Sequence, residues 1–171
     1  MQLQNFEIRE IKREEAKQAA EMELICFPPN EACTPERMIE RINTAPEATI
    51  VAVDKTTNKL VGMINGIFTD EEIFKDDFFI DSSLHKPNGK NVMITGVEVL
   101  PGHRGIGLAS ILMKEYKQKL RRQGKSAAYL TCLEDKVNMY IKMGFTDLGI
   151  SQSYWGGESW HEMVSPLNLK D

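Results

Sequence analysis

Apolar and polar residues change their period several times along this chain, and the changes divide it into strands and helices. Residues 6–11 alternate, as a half-buried strand does. From residue 13 to residue 26 the period lengthens, with Ala16, Ala19, Ala20, Met22 and Ile25 at helical spacing. Phe27-Pro28-Pro29-Asn30 breaks that pattern. A second helix starts at Thr34-Pro35, with Thr34 as N-cap and Pro35 at the first helical position, and ends near Asn43. Residues 49–53 and 59–68 flank Lys55-Thr56-Thr57-Asn58 and read as a hairpin. Residues 70–89 hold no sustained period, so a short helical piece and a long loop are expected there.

Residues 92–99 are apolar and rich in β-branched side chains, which predicts a buried strand. The turn Leu100-Pro101-Gly102 ends it, and helical spacing resumes from Ser110 to Arg122. A strand over 126–133 and a helix over 135–142 follow, with Gly144 supplying a left-handed C-cap. Residues 145–155 and 159–166 read as a last pair of strands joined at Gly156-Gly157. The alternation predicts an α/β chain with a mixed sheet and flanking helices, folded as a single domain over residues 1–171.

Composition narrows the classes. A hydrophobic share of 42% and a charged share of 27% are those of an ordinary globular protein. No apolar run approaches the roughly 20 residues that span a bilayer, and residues 1–15 are polar, so neither a membrane nor a signal peptide is expected. Cys26, Cys33 and Cys132 are odd in number and lack metal spacing, which points to reduced thiols, no metal and a cytoplasmic location. A net charge of −4 argues against nucleic acid as a partner. The charge is uneven: Lys114, Lys117, Lys119, Arg121, Arg122 and Lys125 cluster late, and Asp70, Glu71, Glu72, Asp76, Asp77 and Asp81 cluster earlier. Each cluster is commonly a solvated face; beside a site, the first would favour a polyanionic ligand and the second a cationic amine.

The chemistry concentrates between residues 92 and 110. A strand, a Gly-rich turn and a helix start together make a phosphate cradle, because the first helical N–H groups have no internal acceptor and the helix dipole is positive there. Neither the P-loop pattern nor G-x-G-x-x-G is present at Gly102, Gly105 and Gly107.

Arg104-Gly105-Ile106-Gly107-Leu108-Ala109 resembles the acyl-CoA signature of the GCN5-related N-acetyltransferase (GNAT) superfamily, Arg/Gln-x-x-Gly-x-Gly/Ala. Tyr140-Ile141-Lys142-Met143-Gly144-Phe145 resembles its second signature, a Tyr on a helix that ends in Gly-Phe. Ala45-Pro46-Glu47, Asp70-Glu71-Glu72, Leu84-His85-Lys86-Pro87 and Thr131-Cys132 are similar to the arylalkylamine (serotonin) N-acetyltransferase branch. The resemblance implies a sheet of about seven strands whose central parallel pair, 92–99 and 126–133, splays into a wedge for acetyl-CoA. It implies transfer of the acetyl group to a primary amine by direct attack in a ternary complex. The acceptor expected is a small molecule, either an arylalkylamine or polyamine-like. The alternatives are a protein N-terminal or lysine acetyltransferase and a non-catalytic acyl-CoA-binding module, against which the retained Tyr140 argues. A homodimer is compatible with it.

The resemblance lays the pantetheine arm along Val97, Glu98 and Val99, and the pyrophosphate on the amides of Arg104, Gly105, Ile106, Gly107, Leu108, Ala109 and Ser110. It makes Tyr140 the acid for the leaving thiolate, which suits a phenol of pKa about 10 facing a thiol of pKa about 8.5. The serotonin branch carries two His on the strand before the turn; here those positions are Met93 and Thr95. Glu98 is therefore a candidate base, although strict alternation puts it on the opposite face from Met93 and Thr95 unless a bulge intervenes. Glu134, Asp135, His85, His161 and a chain of waters are the other candidates. Phe27, Pro28 and Trp160 match positions of the branch's aromatic acceptor pocket, and His85 is a further candidate for acceptor binding.

Overall fold

The computed structural model describes residues 3–168. Its elements are β1 (Phe6–Glu10), α1 (Ala16–Cys26), α2 (Pro35–Thr44), β2 (Ile50–Asp54), β3 (Lys59–Thr69), α3 (Asp77–Ile80), β4 (Asn91–Val99), α4 (Leu108–Arg122), β5 (Ala127–Cys132), α5 (Val137–Lys142), β6 (Thr146–Ile150) and β7 (His161–Pro166). The strands form one seven-stranded sheet in the order β1-β2-β3-β4-β5-β7-β6. All neighbours are antiparallel except β4 and β5. The expected α/β mixed-sheet architecture is the one observed.

The sheet is covered on both faces, which explains why β2 and β3 are apolar almost throughout instead of alternating. On one side Leu108, Leu112, Met113, Tyr116 and Leu120 of α4 pack on Ile64, Phe68 and Val92. On the other, Ala19 and Met22 of α1 and Met38 and Ile42 of α2 pack on Val51, Val53 and Met63. Thr34 caps α2 through its hydroxyl, which accepts from the Arg37 amide at 3.3 Å, and Pro35 opens the helix.

Several boundaries depart from the sequence pattern. Helix α1 begins at Ala16 after a 3-10 turn at Arg13–Glu15. Ile25 is 60% exposed, so the buried stripe of α1 runs through Ala16, Ala19, Ala20 and Glu23 instead. Helix α4 begins two residues before Ser110, because Gly107 takes φ 84° as its N-cap. Strand β6 stops at Ile150, far short of Trp155. Long-range contacts pull the chain off the strand path there: the Asp76 carboxylate accepts from the Ser153 hydroxyl and, at 3.1 Å, from the Tyr154 amide, and the Trp155 indole donates to the Glu31 carbonyl at 2.7 Å.

The charge clusters have structural employment. Lys117 donates to the Met143 carbonyl, Arg121 to Leu167 and Lys125 to Pro87 and Gly89, so these cations fasten α4 and its C-terminal turn to neighbouring loops. Of the acidic cluster, Asp70 accepts from the Lys90 amide, Glu71 pairs with Lys75, Glu72 with Lys90, and Asp81 caps Ser83.

Parallel pairing between β4 and β5 is brief. It joins Asn91 to Ala127, Val92 to Ala128 and Met93 to Tyr129, and then stops. From Ile94 onward the side of β4 that faces β5 has no strand partner, and a wedge opens in the middle of the sheet.

Candidate active site

A bulge in β4 decides which side chains enter the wedge. Ile94 lies opposite Gly66 on β3, but Gly96 lies opposite Asn65, so Thr95 is the extra residue. One inserted residue changes the facing of everything after it. Met93, Gly96 and Glu98 lie opposite Ile67, Asn65 and Met63, three alternate residues of one face of β3. Glu98 thus shares the face of Met93, as a bulge would require. Gly96 is needed at the kink: a Cβ there would sit 2.9 Å from the Asn65 amide nitrogen and 3.0 Å from Glu98 Oε1. Thr95 donates its hydroxyl to Asn65, and Met93 is fully buried, so neither position of the missing His pair carries a base.

The wedge widens into a cleft of about 580 Å³. Its floor is Ile94, Thr95, Gly96, Val97, Glu98 and Val99 of β4. Arg104, Gly105, Gly107, Leu108, Ala109 and Ser110 form one end. Arg104 Nε donates to the Val99 carbonyl at 2.8 Å and ties the turn to the end of β4. Ile106 belongs to the turn, but it does not line the cleft.

Gly105 at φ 78° and Gly107 at φ 84° hold left-handed backbone, and open space lies where a Cβ would project from either. Gly107 offers α4 no side-chain cap, so the amides of Leu108, Ala109 and Ser110 keep their donors available. Backbone N–H groups, the positive end of a 15-residue helix and absence of bulk fit a pyrophosphate.

Tyr140 lines the cleft between its two ends. It sits on α5, which Gly144 closes at φ 94°, and its ring packs edge-to-face on Phe145 at 5.8 Å. Burial, and secondarily Cys132, pushes the phenol pKa up, so the group stays protonated. Its hydroxyl makes no hydrogen bond to another described residue.

The other end of the cleft is aromatic. Phe27 and Pro28 follow α1; Trp160 precedes β7 and donates its indole N–H to the Trp155 carbonyl at 2.8 Å. Phe79 and Trp155, which sequence pattern did not single out, stack with centroids 4.6 Å apart and complete the wall. Glu31 lies at this end, its pKa raised by burial and by Glu158 and Asp135.

Glu98 is 2% exposed. Its Oε1 accepts from Asn65 at 3.4 Å, and its Oε2 has no partner. Burial holds its pKa well above the usual carboxylate range, and the neighbouring carboxyl of Glu23 adds to the shift. Glu23 also lines the cleft and went unnoticed in the sequence pattern. Its signal was present: it stands seven residues after Ala16 and four after Ala19, a charge on an otherwise small, buried stripe.

The remaining candidates lie elsewhere. His85 does not reach the cleft, which corrects its assignment to the acceptor: its side chain is 2% exposed, accepts from the Phe68 amide at 3.0 Å and pairs with Glu47. His161 pairs with Asp147 outside the cleft, and Glu134 and Asp135 are exposed outside it. None of the six acids between residues 70 and 81 lines it. Among the described residues no group of His, Cys, Asp and Glu is arranged to hold a metal, and no helix is long and apolar enough to cross a membrane.

A family model described as the Acetyltransferase (GNAT) family matches residues 16–145. No curated protein matches the chain by sequence. Among solved structures, a GphF GNAT-like decarboxylase in complex with isobutyryl-CoA aligns with TM-score 0.80 at 15% identity, covering 95% of this chain and 100% of that one. Ard1 from Thermoplasma volcanium aligns with TM-score 0.73 at 18% identity, covering 97% and 99%. A putative acetyltransferase, yncA from Salmonella typhimurium with its cofactor acetyl-CoA, gives TM-score 0.65 at 17% identity, covering 98% and 96%. At such identities the structures establish a shared fold.

Proposed function

Because the chain belongs to the acetyltransferase (GNAT) family, we propose that it transfers the acetyl group of acetyl-CoA to the nitrogen of a primary amine, with both reactants held together in the cleft. The family match ends at residue 145, but the sheet runs on to β7, so we read residues 1–171 as one catalytic domain. The observation that carries the reading is the early end of β4–β5 pairing at Met93–Tyr129, with the Gly105 and Gly107 turn at one end of the resulting wedge and Tyr140 inside it.

In this reading Val97, Glu98 and Val99 hold the pantetheine arm as an added strand would, and the amides from Arg104 to Ser110 hold the pyrophosphate. Acetyl-CoA supplies an activated acyl thioester. A backbone N–H of β4 near Val97 or Val99 stabilises the developing oxyanion. Tyr140, kept protonated by burial, gives its proton to the departing sulfur. Glu98 takes the proton lost by the amine. Much of the rate comes from positioning two bound reactants.

The aromatic end built from Phe27, Phe79, Trp155 and Trp160 supports a small acceptor with an aromatic or apolar body, in keeping with the arylalkylamine-like branch. One observation favours a second reading, a peptide N-terminus as acceptor: Leu24, Ile25 and Tyr154 are 54%, 60% and 79% exposed beside the lining residues Cys26 and Trp155. The free thiols Cys26, Cys33 and Cys132 support a cytoplasmic location.

The test is release of CoA on mixing acetyl-CoA with tryptamine, tyramine, polyamines and short peptides. Turnover with aromatic amines is expected. Turnover confined to peptides replaces the first reading with the second, and no turnover with any acceptor overturns both.

A further inference from the structure

Glu23 has no part in the mechanism above, yet it is one of the most buried acids in the described structure, 4% exposed. Its Oε2 accepts from the Cys33 amide at 2.8 Å, and its Oε1 has no partner. Glu98 likewise keeps one oxygen, Oε2, without a partner. Both side chains line the cleft from elements that pack on each other, Glu23 from α1 and Glu98 from β4, and the Glu23 carboxyl helps to raise the Glu98 pKa. Two ionised carboxylates so deeply buried repel each other, and burial disfavours the charge on each. A proton between them would satisfy both orphan oxygens at once.

Charge balance gives the same count. Arg41 of α2 is 3% exposed and makes no ion pair among the described residues. Its guanidinium donates to the Asn65 side-chain oxygen at 2.9 Å and to the Phe79 carbonyl at 2.7 Å, and Asn65 in turn donates to Glu98. Besides Glu23, the groups that face Glu98 are the Cys26 thiol from α1, Arg41 from α2 and Asn65 from β3. With one proton the two carboxyls carry −1, and the cluster with Arg41 is neutral. With none it carries an uncompensated buried charge, which is costly.

We propose that Glu23 is the partner with which Glu98 shares one proton, and that the pair, and not Glu98 alone, takes the proton lost by the acceptor amine. Glu23 is then a positioning residue that acts through Glu98. The proposal rests on the acetyl-transfer reading for its reaction, but the shared proton exists without it. An arriving ammonium brings the positive charge that the shared proton had supplied, so the shared proton leaves to solvent. The ammonium then gives one proton to the pair and restores its one-proton state. Nitrogen bonds to the acyl carbon as the carbon–sulfur bond breaks. Sulfur takes the Tyr140 proton, and the second nitrogen proton replaces it. The cycle releases one proton to solvent, as the reaction requires.

Infrared difference spectra of the free protein at pH 7 test the shared proton without any turnover. A carboxylic-acid C=O stretch is expected in the wild type, lost in both Glu23→Gln and Glu98→Gln. Its absence from the wild type, or its survival in Glu23→Gln, overturns the proposal. The pH profile of kcat/KM tests the role. Activity falls at low pH as the pair fills with protons; removal of the Glu23 charge lowers the Glu98 pKa, so the acid limb of Glu23→Gln moves down by about one pH unit or more. A Glu23→Gln protein whose activity drops with its acid limb unmoved assigns Glu23 a purely structural role as the partner of Cys33, which also overturns the proposal.

Discussion

At one end of the cleft Gly105, Gly107 and the first turn of α4 present backbone amides; at the other, Phe27, Phe79, Trp155 and Trp160 present rings. The first end uses almost no side-chain identity and comes from one continuous stretch of about seven residues. The second is assembled from the α1–α2 connection, the loop around α3 and the segment before β7, brought together by Asp76, Glu31 and Trp155 hydrogen bonds. A site made of backbone can serve any molecule with the same phosphate handle. A site made of rings from three segments can change acceptor when any one of them changes.

Tyr140 belongs to neither end, and its loss gives the largest expected effect. Tyr140→Phe keeps the ring against Phe145 and removes the acid, so kcat falls roughly 10²–10⁴-fold with CoA affinity unchanged by calorimetry. An unchanged kcat, with chemistry shown to limit the rate, removes the phenol from the reaction.

Gly107→Glu attacks the backbone end alone. It forces a left-handed backbone on a non-glycine residue, which lowers stability by ~1–3 kcal/mol, and it puts a carboxylate where phosphate binds, so the Kd for CoA rises about ten- to a hundredfold through charge repulsion and bulk. Acceptor selectivity should stay as it was. Unchanged CoA affinity in the folded variant would mean that the phosphates lie elsewhere.

Trp155→Phe does the reverse. It keeps a ring on Phe79 and removes the hydrogen bond to the Glu31 carbonyl, worth ~0.5–1.5 kcal/mol, so KM for an aromatic amine rises about two- to tenfold at constant CoA affinity. A rise in both constants would merge the two ends into one site. The smallest effect is expected from the acidic segment, because it does not line the cleft. Glu72→Gln should change kcat/KM for a diamine by less than about twofold, with salt dependence alike for mono- and diamines.

The same contrast governs what could be read before any coordinates. Residues 104–110 were legible because left-handed glycines and a helix start are local requirements. Tyr140 with Gly144 and Phe145 was legible because a helix and its cap fit in six residues. Phe79 was hidden in a stretch without period, and Trp155 sat in what read as a strand until Asp76 and Glu31 drew the chain aside. His85 misled because a His in an acidic loop looks available, whereas the fold buries it against Phe68 and Glu47. Glu98 was legible as a candidate, but its facing depended on whether Thr95 formed a bulge, which no alternation pattern discloses.

Three residue pairs join β4 to β5, and they are the whole of the parallel seam. In mechanical terms the sheet is two plates, β1 to β4 and β5, β7 and β6, hinged along a short line. Amides of the smaller plate should exchange with solvent as their own cooperative unit, ahead of global unfolding. Anything that lies in the wedge and bonds to both plates acts as a strut across that hinge. Binding and folding are then coupled, and the opening that admits a ligand becomes, once filled, the place where the fold is braced.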